Sequence, residues 1–157
     1  MIPGLAAELD LFGRFVGTWD IDWLGTDQAG NHISVPGRLV MGWVLGGRAV
    51  QDVWQVPLPG QPAPPGFQPF HGTTLRFYDP VLGAWRSTWI EPYKGLVIRF
   101  IGRPDGDGIR LEALDSDPPI RWSFRDVTPD SFRWTAEYTR DGGRTWILAE
   151  EMRLRRR

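Results

Sequence analysis

The sequence predicts an all-β chain closed into an up-and-down antiparallel β-barrel of about ten strands, with a short N-terminal helix. Three observations carry this expectation. Nine Trp, eight Phe and three Tyr stand among 19 Gly and 14 Pro, a mixture in which aromatics favour strands and Gly and Pro end them. From Arg14 onward the apolar residues recur with a period of two, the repeat of a strand with one dry and one wet face. Short turn signals separate most of the periodic runs, so strands adjacent in sequence are expected to be adjacent in space.

The helix is expected over Pro3–Phe12, where Leu5, Leu9 and Phe12 share one stripe and Gly13 supplies a stop. In the first strand Trp19, Ile21 and Trp23 alternate with Thr18, Asp20 and Asp22, which puts both aspartates outside. A turn-rich break over Gly25–Asn31 leads to a second strand, about Ile33–Leu45, with Leu39, Met41 and Trp43 on one face and Pro36 near an edge or bulge. Gly46-Gly47 marks a tight hairpin, and Arg48–Val56 returns with Val50, Asp52 and Trp54 opposing Ala49, Gln51, Val53 and Gln55. Pro57–Phe70 has six prolines in fourteen residues, which neither a helix nor a central strand tolerates. It is expected as a stiff surface loop and partial lid, with Phe67 and Phe70 packing back onto the barrel mouth. Seven further strands are expected near Gly72–Asp79, Ala84–Glu91, Leu96–Arg103, Gly108–Leu114, Ile120–Val127, Ser131–Thr139 and Thr145–Leu154. A two-sheet sandwich is the main competitor, but its Greek-key order demands longer crossovers.

The 157 residues suit one domain, residues 1–157, with a substantial core. Eighteen basic against 19 acidic residues leave a net charge of −1, which gives no reason to expect nucleic acid or a membrane surface as partner. The basic end Arg155–Arg157 reads as a solvated tail. Absence of Cys excludes disulfides, thiolate metal sites and cysteine nucleophiles. Met1–Asp10 lacks the basic residues of a secretory signal and no apolar run reaches membrane-span length, so a cytoplasmic location is expected. His32 and His71 have no metal-ligand spacing and the last five strands carry no histidine, so neither a metal nor haem, nor any other cofactor, is expected.

Alternation selects the residues that face inward. Val50, Asp52 and Trp54 fall on the inner face of one strand, and Trp85, Ser87, Trp89 and Glu91 on that of another. Trp122 with Phe124, and Trp134 with Tyr138, extend an aromatic wall. For Leu75-Arg76-Phe77-Tyr78 either parity is tenable; an inward Arg76 would give Asp52 a partner, without which a buried carboxylate is costly. Asp52, Arg76, Glu91 and Arg99 can be read as a satisfied polar network or rim. They can equally be read as the few orienting groups of an apolar small-molecule pocket.

Two resemblances add to this. Gly17-Thr18-Trp19 resembles the N-terminal G-x-W of lipocalin and calycin barrels, in which an Arg of the last strand packs over the Trp; Arg153 or Arg155 would serve. The stretches FVGTWDI (Phe15–Ile21), LGGRAVQDVW (Leu45–Trp54) and TTLRFYDPVLGAWRSTWI (Thr73–Ile90) resemble a group of bacterial lipocalin-like domains of unknown function. That resemblance implies a barrel of ligand size and no particular reaction. Thr139–Trp146 is similar to the Asp-box of sialidase propellers, here in one copy and best read as a hairpin staple.

The expected function is binding of a small hydrophobic molecule, aromatic or planar, inside the barrel. Trp54, Trp89, Trp122, Trp134 and Tyr138 would form walls, and Asp52, Arg76 and Glu91 would set orientation. The alternative is a cyclase, isomerase or hydrolase of a hydrophobic substrate, with desolvated Glu91 or Asp52 as general acid or base. A homodimer through the Arg-rich exterior at Arg121, Arg125 and Arg133 is a further expectation.

Overall fold

The computed structural model describes residues 4–157, so Pro3 of the expected helix lies outside the described residues. Helix α1 spans Ala6–Gly13. Ten strands follow: β1 (Gly17–Thr26), β2 (His32–Val44), β3 (Ala49–Val56), β4 (Phe70–Asp79), β5 (Ala84–Glu91), β6 (Leu96–Asp105), β7 (Gly108–Ala113), β8 (Ile120–Arg125), β9 (Ser131–Tyr138) and β10 (Ile147–Arg156). Each strand pairs antiparallel with its sequence neighbours, and β1 pairs with β10. The sheet is therefore a closed barrel without exposed edges, and not a sandwich.

The barrel has one plugged end. Leu9 and Phe12 of α1 are buried, and Phe12 meets Trp85 edge-on at 4.9 Å and Phe124 at 5.8 Å. Phe15, Trp19 and Phe132 complete a cluster of rings at contact spacing, the offset and T-shaped geometry that aromatic quadrupoles favour. Trp19 Nε1 donates to Phe15 O at 2.8 Å, so the buried indole leaves no donor unpaired. The arginine over Trp19 is Arg156, with its guanidinium carbon 4.2 Å from the ring centroid. This corrects the expectation of Arg153 or Arg155: Met152 and Leu154 face inward, so the same parity aims Arg156 at Trp19 and turns Arg153 and Arg155 out. Arg156 also donates to Val16 O and Arg14 O at 2.8 Å each and to Pro129 O at 2.9 Å. The C-terminal arginines are thus the end of β10 and not a free tail, with Arg157 reaching Asp20 at 3.4 Å.

The opposite end carries the β1–β2, β3–β4, β5–β6, β7–β8 and β9–β10 connections. There the proline-rich segment folds back as expected: Phe67 meets Trp23 edge-on at 4.7 Å, and Phe70 opens β4 and is buried. Trp43 departs from expectation. It shares the parity of Leu39 and Met41 but lies exposed at the plugged end against Gly13 of α1. The Asp-box resemblance proves local. Asp141 accepts from Thr145 N at 2.8 Å, Thr145 Oγ1 at 2.6 Å and Thr139 Oγ1 at 2.9 Å, and these donors, Thr145 foremost, hold its carboxyl down to about 2. Trp146 lies under the Arg121 guanidinium at 4.0 Å.

The barrel exterior is divided. Around β6–β9 four arginines are paired: Arg125 and Arg110 to Asp105 at 2.7 and 3.0 Å, Arg121 to Glu137 at 3.0 Å, and Arg133 to Asp126 at 3.0 Å. Arg99, expected as a possible interior group, is exposed and paired with Asp115. Across β2–β6, by contrast, Val40, Val53, Thr73, Ile90 and Val97 fall in one register row, and its four aliphatic members are exposed.

Candidate functional site

The inner wall is built by cross-strand neighbours. Asp52 on β3 stands opposite Thr74 on β4, and Arg76 on β4 opposite Ser87 on β5. Arg76 faces inward. Its Nη2 donates to Asp52 Oδ2 at 2.6 Å, with both side chains almost wholly buried, while Thr74 N donates to Asp52 Oδ1 at 2.8 Å. The pair sits near the plug, the Arg76 guanidinium 4.5 Å from the Phe12 centroid and 6.0 Å from that of Phe124. Burial lowers the pKa of the arginine and the Asp52 carboxylate offsets part of this; a guanidinium held this way stays ionised. Arg76 Nε and Nη1 and the neighbouring Ser87 Oγ are buried and have no hydrogen-bond partner among the described residues.

Above this pair the rings nearly fill the barrel. Trp54, Trp134, Trp122 and Trp89 form a chain of contacts with centroids 6.0, 5.2 and 5.8 Å apart, and Phe100 lies 4.2 Å from Trp122. They leave a chamber of about 110 Å³. A cavity of about 150 Å³ admits benzene, so this one is somewhat smaller than that single-ring benchmark and far below the usual volume of a drug-sized site. Besides the rings it is bordered by Thr74, Arg76, Leu111, Met152 and, at the open end, Phe70, Glu91, Lys94 and Glu150. Phe70, Lys94 and Glu150 are shared with a vestibule of about 280 Å³, whose other walls include Trp23, Asp27, Gln28 and the loop residues Pro65–Gln68.

Six of the expected site residues, Trp54, Arg76, Trp89, Glu91, Trp122 and Trp134, border the chamber. Asp52 stands behind Arg76, which it neutralises, and is not part of the lining. Tyr138 lies at the end of β9, outside the lining, with the Arg140 guanidinium 5.3 Å from its ring. Glu91 is committed to the β5–β6 turn, accepting from Tyr93 N at 2.6 Å and Lys94 N at 3.2 Å. Both oxygens of Asp52 and of Glu91 accept these structural bonds, and both carboxylates are buried. The proline-rich loop covers the vestibule; of that segment only Phe70 reaches the chamber.

The sequence reading missed Glu150 and Lys94. Glu150 follows the parity of Met152 and Leu154, a signal that was available. A β-bulge between Leu148 and Glu150 sets it opposite Ala136, on the inner face, the re-aiming of a side chain that bulges provide. Burial pushes the Glu150 carboxyl up from its ordinary value. The Lys94 charge opposes this, as does the Trp23 indole N–H, which lacks a well-formed bond of its own among the described residues. Lys94 is the chain's only lysine and belongs to a turn, where periodicity gives no signal. Among the described residues no group of His, Asp and Glu is arranged to hold a metal ion, and no helix is long and apolar enough to cross a membrane.

No family model matches the chain, and no curated protein matches it in sequence. Solved structures do resemble it. Rv2717c from M. tuberculosis is similar with a TM-score of 0.65 at 18% identity, covering 100% of this chain and 99% of that one. The S-type phycobiliprotein lyase CPES from Guillardia theta is similar with a TM-score of 0.58 at 12% identity, covering 94% and 91%. At these identities the likeness is one of fold alone.

Proposed function

We propose that the protein binds a small, largely apolar aromatic molecule, about one ring in size, within its barrel. The observation that carries this reading is the chamber of about 110 Å³ enclosed by Trp54, Trp89, Trp122, Trp134 and Phe100 and bordered by the open end. Indole walls give flat, rigid contact at little entropic cost, which suits a planar ring. Apolar burial of about 25 cal/mol per Å² then supplies the affinity. The structural likeness to a phycobiliprotein lyase supports the reading only as a barrel of this shape in another protein.

Four tryptophans in a chain of contacts around the chamber make emission the natural readout. A single-ring aromatic compound is expected to quench or shift the intrinsic fluorescence saturably, and Ala136→Phe, which fills space beside Trp122 and Trp134, to weaken that response. A set of ring-sized compounds that leaves the emission of folded protein unchanged would overturn the proposal.

A further inference from the structure

We infer that the preferred ligand is a neutral aromatic compound carrying a hydrogen-bond acceptor of the carbonyl class. Its oxygen would be received by the free edge of the Arg76 guanidinium beside Ser87. This rests on the binding function proposed above and adds the chemistry of the ligand's polar end.

Two observations support it. Arg76 is 3% exposed and borders the chamber, yet only its Nη2 has an acceptor. Nε, Nη1 and the adjoining Ser87 Oγ have none among the described residues. Buried donors in native proteins are nearly always paired, so unpartnered N–H groups on a residue that borders a cavity, with the unpaired hydroxyl of its cross-strand neighbour, mark the place where an acceptor belongs. The charge balance then selects the acceptor. Asp52, 2.6 Å from Nη2, already cancels the guanidinium's charge. A ligand carboxylate would set a second anion beside Asp52 in a low-dielectric interior with one cation for two charges. An ammonium group would present donors to donors. A carbonyl oxygen accepts two of the free N–H or O–H groups and leaves the pair neutral, and the apolar lining by Leu111, Phe100 and Trp122 takes the ring.

Three probes of one shape separate the possibilities by titration calorimetry: acetophenone, α-methylstyrene, in which CH₂ replaces the oxygen, and benzoate. The wild-type protein is expected to bind acetophenone roughly ten- to a hundred-fold more tightly than α-methylstyrene, the worth of a hydrogen bond to a charged donor, and benzoate least. In Ser87→Ala, a nearly isosteric change, the preference for acetophenone is expected to fall several-fold with α-methylstyrene unaffected. In the double variant Arg76→Met, Asp52→Asn it is expected to vanish. Equal binding of acetophenone and α-methylstyrene overturns this inference and leaves the binding function standing. Tightest binding of benzoate overturns the neutral-acceptor assignment in favour of an anion. Failure of all three to bind folded protein overturns the binding function and this inference with it.

Discussion

Arg76 and Asp52 show why a buried ion pair must be judged as a unit. Their attraction at 2.6 Å is set against the desolvation of two charges, so the pair adds little net stability, but each member depends on the other. Arg76→Met strands the Asp52 carboxylate and is expected to cost about 3–5 kcal/mol in urea denaturation. Adding Asp52→Asn, which keeps an oxygen for Thr74 N, should recover most of it; a double variant as unstable as the single one would contradict this account. Glu150 acts in the other direction. Its folded-state carboxyl is raised above the ordinary 4.5 by burial, so the folded chain holds that proton more tightly than the unfolded one. Its contribution is present below pH 4.5 and is lost as pH rises through the raised value. Glu150→Gln is therefore expected to melt higher than wild type at neutral pH, with the difference shrinking below about pH 4. A thermal-melt series across pH checks it, and a difference that grows on acidification would refute the assignment.

At the scale of elements, the plugged end depends on one side chain from the last strand. Arg156 ties the segment between α1 and β1 to the β8–β9 turn through the carbonyls of Arg14, Val16 and Pro129 and covers Trp19. Arg156→Ala leaves those carbonyls to water and uncovers the indole, an expected loss of about 2 kcal/mol. Amide hydrogen exchange should rise first at Phe15 and Val16. Arg155→Ala, on the exposed face of the same strand, is expected to stay within about 0.5 kcal/mol of wild type. The β10 bulge is the corresponding device at the open end, since it joins the outward run from Trp146 to the inward alternation of Glu150, Met152 and Leu154.

For the molecule as a whole, the divided exterior redirects the expectation of a dimer. The arginines at 121, 125 and 133 are engaged by carboxylates of their own chain. The outer row of Val40, Val53, Ile90 and Val97, with Leu75 and Phe77 beside it, stands exposed. These side chains present roughly 500 Å² of apolar surface, about the non-polar share of one partner's half of a standard interface. Two copies packing this face against itself is the expected association. Val53→Glu with Ile90→Glu should lower the sedimentation coefficient to that of a monomer; a wild-type protein already monomeric at high concentration would dismiss the dimer.

The sequence alone determined the strands, their turns and the inward direction of Asp52, Trp54, Trp89 and Glu91. Alternation and turn chemistry are local, and a strand displays its two faces wherever it is placed. Closure followed from a succession of strands joined mostly by short turns. What lies between side chains from different strands was not legible. The parity of Arg76 was left open by a stretch with apolar residues on both faces, and tertiary pairing with Asp52 decided it. The outer engagement of Arg99, the turn-capping role of Glu91 and the exclusion of Tyr138 from the chamber depend on how far each strand extends and where its end meets a loop. The small volume of the chamber has the same origin. Inter-strand stagger and rotamers set how indoles from β3, β5, β8 and β9 meet, and no periodicity within one strand records the space they leave.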